Sequence, residues 1–232
     1  MSDGLWMRTP EELDIIRKYS WLHTELVPYM YHYVVTAHEG GRRLQTPIDG
    51  KYHYMFGEYL LVAPVYKDDL NTEIQLPEGR WRYWFDDTKI IEGPVKFVQE
   101  FPLDEYPVFV KEGAIIPMDI KRHYTGFGDA ADEGYLTFLI YPDLIENSFE
   151  VFRESGESTS LKYLKTDAGL SIEISGRTCP HHLKIALDKK PSSVYLDDRE
   201  LLDGMDFNYN SELKKLSIKT ERYDNGRYTI NF

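Results

Sequence analysis

The strongest constraint on this chain is a change of period near residue 55. Before it, Leu13, Ile16, Tyr19, Leu22, Leu26, Tyr29 and Tyr33 recur at spacings of three and four, which lines them along one face of a helix. Thr9-Pro10-Glu11-Glu12 supplies a start signal: Thr9 to cap, Pro10 for the first helical position and Glu12 to complete a capping box. Pro28 removes a donor and crowds the preceding turn, so it predicts a kink or a split, and Gly40-Gly41 predicts the end of the helical region. After residue 55 short β-type runs separated by turn residues take over, as in an antiparallel sandwich or barrel.

Those runs fall into two groups. Tyr59 to Ala63, Arg80 to Phe85, Pro107 to Val110 and Ala114 to Ile116, with Glu112-Gly113 as a turn, predict one sheet-rich unit over residues 51–120. Lys121 to Gly134 has no period and reads as a linker or long loop over 121–134. Tyr135 to Tyr141, Ser148 to Phe152, Leu161 to Leu164, Leu170 to Ser175, Leu183 to Leu187, Leu213 to Ile218 and Arg227 to Phe232 predict a second β-domain over 135–232. Asp167-Ala168-Gly169 and Asp224-Asn225-Gly226 suit tight connections with positive φ. The expected fold class is mainly β: a helical stub over 1–50, then two antiparallel, sandwich-like domains. A lone amphipathic helix must bury its stripe, so residues 10–38 are expected to pack on a β-domain, on a second copy in a homo-oligomer, or on a further piece of protein.

Composition narrows the partners. The 232 residues carry 39 acidic against 27 basic side chains, a formal charge of −12 that disfavours nucleic acid and anionic membrane. Cys179 is the single cysteine, so an internal disulfide framework is excluded. No run approaches the roughly 20 apolar residues of a membrane span. Met1-Ser2-Asp3-Gly4 lacks the basic and apolar regions of a secretory signal, so the chain reads as soluble with its compartment open.

Chemistry-bearing residues are present but badly placed. Asp86-Asp87, Asp104-Glu105 and Asp197-Asp198 are adjacent carboxylates, and neighbours on a strand point to opposite faces rather than to one bond. Trp81, Tyr83, Trp84 and Phe85 could stack a sugar, yet alternation puts Trp81 and Tyr83 on one strand face and Trp84 on the other, which suits a buried strand. His23, His32, His38 and His53 show no metal-ligand spacing, and His181 and His182 diverge if extended. Cys179 lacks a basic helix terminus to activate it. No catalytic, cofactor-binding or metal residue is therefore assigned.

Four segments together carry a resemblance. They are Leu26-Val27-Pro28-Tyr29-Met30-Tyr31 with Ala37-His38, then Gly57 to Val65, then Leu76 to Trp81 with Trp84, and finally Pro102-Leu103-Asp104 leading to Pro107 to Pro117. In order and spacing they resemble glycoside hydrolase family 31, from the last helices of its (β/α)₈ barrel through the proximal C-terminal β-domain. The stretch from Leu136 to Gly156 resembles the distal one. The resemblance implies that 1–50 is a helical remnant of the barrel end. It also implies a parent that hydrolyses α-linked glycosides with retention, without metal or organic cofactor. Its two catalytic aspartates would lie on barrel loops upstream of every matched segment. That chemistry needs two carboxyl groups about 5 Å apart on a rigid scaffold. The expectation is thus a non-catalytic C-terminal region, with a free-standing carbohydrate-binding module and a piece completing a separately encoded barrel as alternatives. Arg43 to Gly50 is shorter than the family's usual stretch, Glu58 stands where Asp is commoner, and Phe152 to Gly156 is less acidic, all of which bear on substrate.

Overall fold

The structure, a computed structural model, describes residues 7–67, 71–102, 104–221 and 226–232. Helix α1 spans Pro10–Glu25, and its capping box is in place. The Thr9 hydroxyl accepts from the Glu12 N–H (3.2 Å), and the Glu12 carboxylate accepts from the Thr9 N–H (2.8 Å). Leu26 closes α1 and opens α2, Val27–His38, so the proline-bearing helix is split in two. Pro28 lies in the first turn of α2, where a missing N–H removes no helical bond. Gly40 and Gly41 follow directly, as expected.

A six-stranded antiparallel sheet comes next: β1 Gln45–Pro47, β2 Tyr54–Phe56, β3 Leu60–Val62, β4 Asn71–Tyr83, β5 Asp86–Glu100 and β6 Val108–Lys111. Its spatial order is β1-β2-β3-β6-β4-β5. Both faces of its centre are buried. Leu60, Val62, Val108 and Val110 join the main core, while Leu61 and Phe109 meet Ile74, Leu76 and Trp81 in a smaller one. A strand buried on both sides reads as an unbroken apolar run, which is what Tyr59 to Ala63 shows.

The remaining strands are β7 Ile115–Met118, β8 Leu136–Ile140, β9 Asn147–Phe152, β10 Ser158–Lys165, β11 Gly169–Gly176, β12 His181–Ala186, β13 Ser193–Leu196, β14 Arg199–Glu200, β15 Phe207–Asn210, β16 Lys215–Thr220 and β17 Gly226–Asn231. They form a five-stranded mixed sheet, β15-β16-β12-β8-β7, and a six-stranded antiparallel sheet, β14-β13-β17-β11-β10-β9. Phe138, Ile140, Leu183 and Ile218 of the first share one core with Phe149, Leu161, Ile172 and Ile230 of the second.

The architecture is mainly β, as the sequence predicts, but four local readings change. Gln45–Pro47 is an edge strand, so the first sheet begins inside the expected helical stub. The run around Ala114 to Ile116 leaves the first sheet: β7 pairs with β8 across Ile115↔Ile140, because Gly113 at φ +93° turns the chain toward the carbonyl of Tyr141 (2.6 Å). Residues 121–134 are not a bare linker, since they hold two 3₁₀ turns, His123–Thr125 and Ala130–Asp132, with Thr125 and Asp132 buried. The turn at Asp167-Ala168-Gly169 uses no positive φ, whereas Asp224-Asn225 lies outside the described residues.

Gly57 is where helix and sheet come closest. Its φ is +67°, and a Cβ there would stand 2.3 Å from the Tyr29 hydroxyl oxygen and 2.4 Å from a Tyr33 ring carbon. Left-handed strain and overpacking combine, so Gly57→Ala is expected to destabilise the fold by about 3 kcal/mol. A urea unfolding series on both proteins measures this.

Candidate functional site

Two polar constructions hold the parts together, and the first seats α2. The Tyr29 hydroxyl donates to the Phe56 carbonyl (2.9 Å) and accepts from the Tyr59 N–H (3.2 Å), while the Tyr33 hydroxyl accepts from the Glu58 N–H (2.9 Å). These satisfy backbone groups between β2 and β3 that strand pairing leaves open. Burial raises the pKa of both tyrosines, which keeps them neutral. Toward the sandwich, the Tyr29 ring stacks on Phe149 (5.6 Å between centroids), and His32 Nδ1 donates to the Glu150 carbonyl (2.7 Å). Glu25, at the end of α1, is fully buried and accepts from the Thr125 hydroxyl (2.7 Å). Burial raises its pKa against that hydrogen bond. Lys18 and Tyr19 both donate to the Asp104 carbonyl, at 2.9 and 3.1 Å. The helix pair is therefore tied to all three sheets or their loops. Its outer surface leaves Ile16, Val27 and Val34 exposed.

The second construction is a set of buried charges. Arg82 pairs with Glu112 and donates to the Asp87 carbonyl (2.7 Å), while the Asp87 carboxylate takes the Tyr141 hydroxyl (2.6 Å) and Lys215 (2.8 Å). On the outer face of the mixed sheet, Asp132 receives His182 Nδ1 (2.7 Å), Lys219 (3.0 Å) and Lys184 (3.2 Å). Burial alone would raise the pKa of Asp132. The His182 hydrogen bond and the neighbouring ammonium groups outweigh it and hold the carboxyl well below the usual range. A cleft of about 380 Å³ opens beside this group.

Ser217, at 2.6 Å from His182 Nε2, completes a Ser–His–Asp line. In a hydrolase the imidazole would become a cation during the reaction. Here burial and the charges of Lys184 and Lys219 push the His182 pKa down, so the imidazolium is disfavoured. The line instead locks residues 129–132 onto β12 and β16. Alternation along β12 and β16 already puts His182, Lys184, Lys215, Ser217 and Lys219 on one face. Asp132 gave no comparable signal, because its partners lie 50 to 87 residues away.

The residues weighed from sequence fall as follows. Asp86 is exposed and Asp87 buried, on opposite faces. Asp197, at φ +52°, sits in the two-residue turn between β13 and β14 beside Asp198. Tyr83 donates to Glu105, and Asp104 serves the helix through its backbone. Trp81 and Trp84 are both buried, in different cores, and Phe85 packs on the main one. His23 and His38 are exposed, whereas His53 is buried against Gln75. His181 points inward to Tyr228 (2.6 Å) and His182 outward to Asp132, the divergence expected of an extended pair. Burial raises the Cys179 pKa, which favours the inert thiol. Among the described residues no three His, Cys, Asp or Glu side chains form a metal-binding group.

A β-rich region with a fixed helical lead-in matches proteins that act on carbohydrates. Residues 29–116 match the glycosyl hydrolase family 31 C-terminal domain. An α-glucosidase of Saccharolobus solfataricus is 32% identical over 85% of this chain and 26% of its own length. A 1,6-α-glucosyltransferase of Sporosarcina globispora is 31% identical over 59% of the chain and 12% of its own. In structure, a family 31 dextranase of Flavobacterium johnsoniae aligns over the whole chain and 34% of its own, with a TM-score of 0.86 at 22% identity, which establishes the likeness of fold. The chain thus spans about a quarter or less of the length of these curated relatives. Residues 29–116 thus carry the C-terminal domain of glycoside hydrolase family 31, and the likeness of fold extends over the whole chain.

Burial lowers the pKa of His181 from 6.5 to about 4. The unfolded chain then binds more protons below pH 6.5, so the stability this neutral histidine contributes is complete above 6.5 and is lost as pH falls toward 4. Unfolding free energy is expected to drop by about 2 kcal/mol from this group between pH 7.5 and 5. Comparing urea midpoints with those of His181→Gln, whose dependence should be flatter, checks the assignment.

Proposed function

We propose that this region is the non-catalytic C-terminal support of an α-glycosidase or transglycosylase, bracing a catalytic barrel supplied by other residues. The observation that carries the reading is the helix pair. One side is bonded to the β-region through Tyr29, Tyr33, Glu25 and Lys18, while the other presents Ile16, Val27 and Val34. A surface held rigidly from behind and apolar in front is suited to receiving another packed layer. On this view the units are the helix pair, a small sheet from Gln45 to Lys111 and a sandwich from Ile115 onward. The carboxylate pairs weighed above are divided between faces, turns or ion pairs, so none offers the paired geometry of a retaining mechanism. No helix among the described residues is long and apolar enough to cross a membrane.

A panel of chromogenic α-glucosides, α-xylosides and α-galactosides tests this on the purified chain. No turnover is expected, and reproducible turnover that survives repurification would overturn the reading. Val34→Asp is expected to leave the melting temperature of the chain within about 2 °C, since exposed substitutions change stability little. The same change should weaken co-purification with a tagged barrel region of a family 31 relative at least tenfold.

A further inference from the structure

The loop between β1 and β2 displays an aromatic group that neither construction above uses. Tyr52 is 63% exposed, yet its backbone sits at φ +62°, a region bulky side chains rarely occupy. The conformation is imposed from below. His53 is buried, with Nδ1 donating to the Lys51 carbonyl (3.0 Å) and Nε2 accepting from the Gln75 N–H of β4 (3.2 Å). The Ile48 N–H also bonds across the loop to the His53 carbonyl (3.2 Å). Opposite Tyr52, from the segment after β3, stands Tyr66, 42% exposed, with the two ring centroids 5.0 Å apart and the planes at 75°. Lys51 places its ammonium 4.8 Å from the Tyr66 centroid, and Lys67 lies 5.5 Å from the same ring.

A strained backbone that holds a large aromatic ring in water costs stability twice, and residues held in such conformations by the structure around them cluster at ligand-binding sites. We propose that Tyr52 and Tyr66, with Lys51 and Lys67, form a binding site for a neutral pyranose oligosaccharide. The C–H face of a sugar ring packs on one tyrosine while the perpendicular ring closes the side of the site. The two phenol hydroxyls and the ammonium groups hydrogen-bond sugar hydroxyls. The choice of ligand rests on the carbohydrate-enzyme reading above. The site differs from the Trp81 and Trp84 platform weighed from sequence, since those rings are buried.

Titration of the 232-residue chain with isomaltotriose and with maltotriose, followed by calorimetry and by tyrosine ring signals in NMR, tests the proposal. Saturable binding to at least one sugar is expected. Tyr52→Ala and Tyr66→Ala should each reduce affinity at least tenfold, and Tyr52→Phe should stay within about threefold because the ring is retained. Tyr52→Gly separates function from folding: it removes the ring and suits the left-handed backbone, so binding should fall while the melting temperature rises. Binding that survives both alanine variants would overturn the site but leave carbohydrate recognition standing elsewhere on the chain. No binding of either sugar by the parent chain, or a lower melting temperature in Tyr52→Gly, would overturn the proposal. None of these outcomes touches the bracing role, which the glycoside panel and the co-purification decide.

Discussion

The arrangement depends on the space that Gly57 leaves against α2. Tyr29 and Tyr33 enter that space, and their hydroxyls take over backbone bonds of Phe56, Glu58 and Tyr59 that no strand supplies. The same rings continue the hydrophobic core into the sandwich through Phe149. Burying a large aromatic is worth roughly 2–3 kcal/mol, and each ring here serves three elements at once. A side chain at position 57 would separate helix from sheet, and the contacts to the sandwich would go with it.

Buried charges set the remaining geometry. Arg82 with Glu112, and Asp132 with its three bases, each place ionised groups away from water, where desolvation offsets much of the Coulomb attraction. Their larger effect is on alternatives. Any shift of β4 against the turn at Glu112, or of residues 129–132 against β12, strands a buried charge, so misaligned packings are strongly disfavoured. Such a rigid arrangement is in keeping with the bracing role proposed above.

Much of this was legible in sequence where the deciding forces are local. The Thr9 and Glu12 capping box, the split before Pro28 and the divergence of His181 and His182 follow from backbone geometry within a few residues. Burial of Trp81 and Trp84 on opposite faces follows from alternation. The long strand Asp86–Glu100 was missed because one side faces water and its apolar residues are spaced among charges. The strand at Gln45–Pro47 is exposed along its length and carries no hydrophobic signal at all.

By itself the sequence determined the capped helix, most of the buried strands, the mainly β class and the family, because capping, period and ordered motifs are properties of neighbouring residues. The tertiary structure decided which sheet Ile115–Met118 joins, that residues 121–134 form a roof over charged side chains, and that Tyr52 meets Tyr66 at a strained loop. Each of these joins residues distant along the chain, and their partners are chosen by where burial and charge neutralisation can be met together. One-dimensional periodicity does not carry that information.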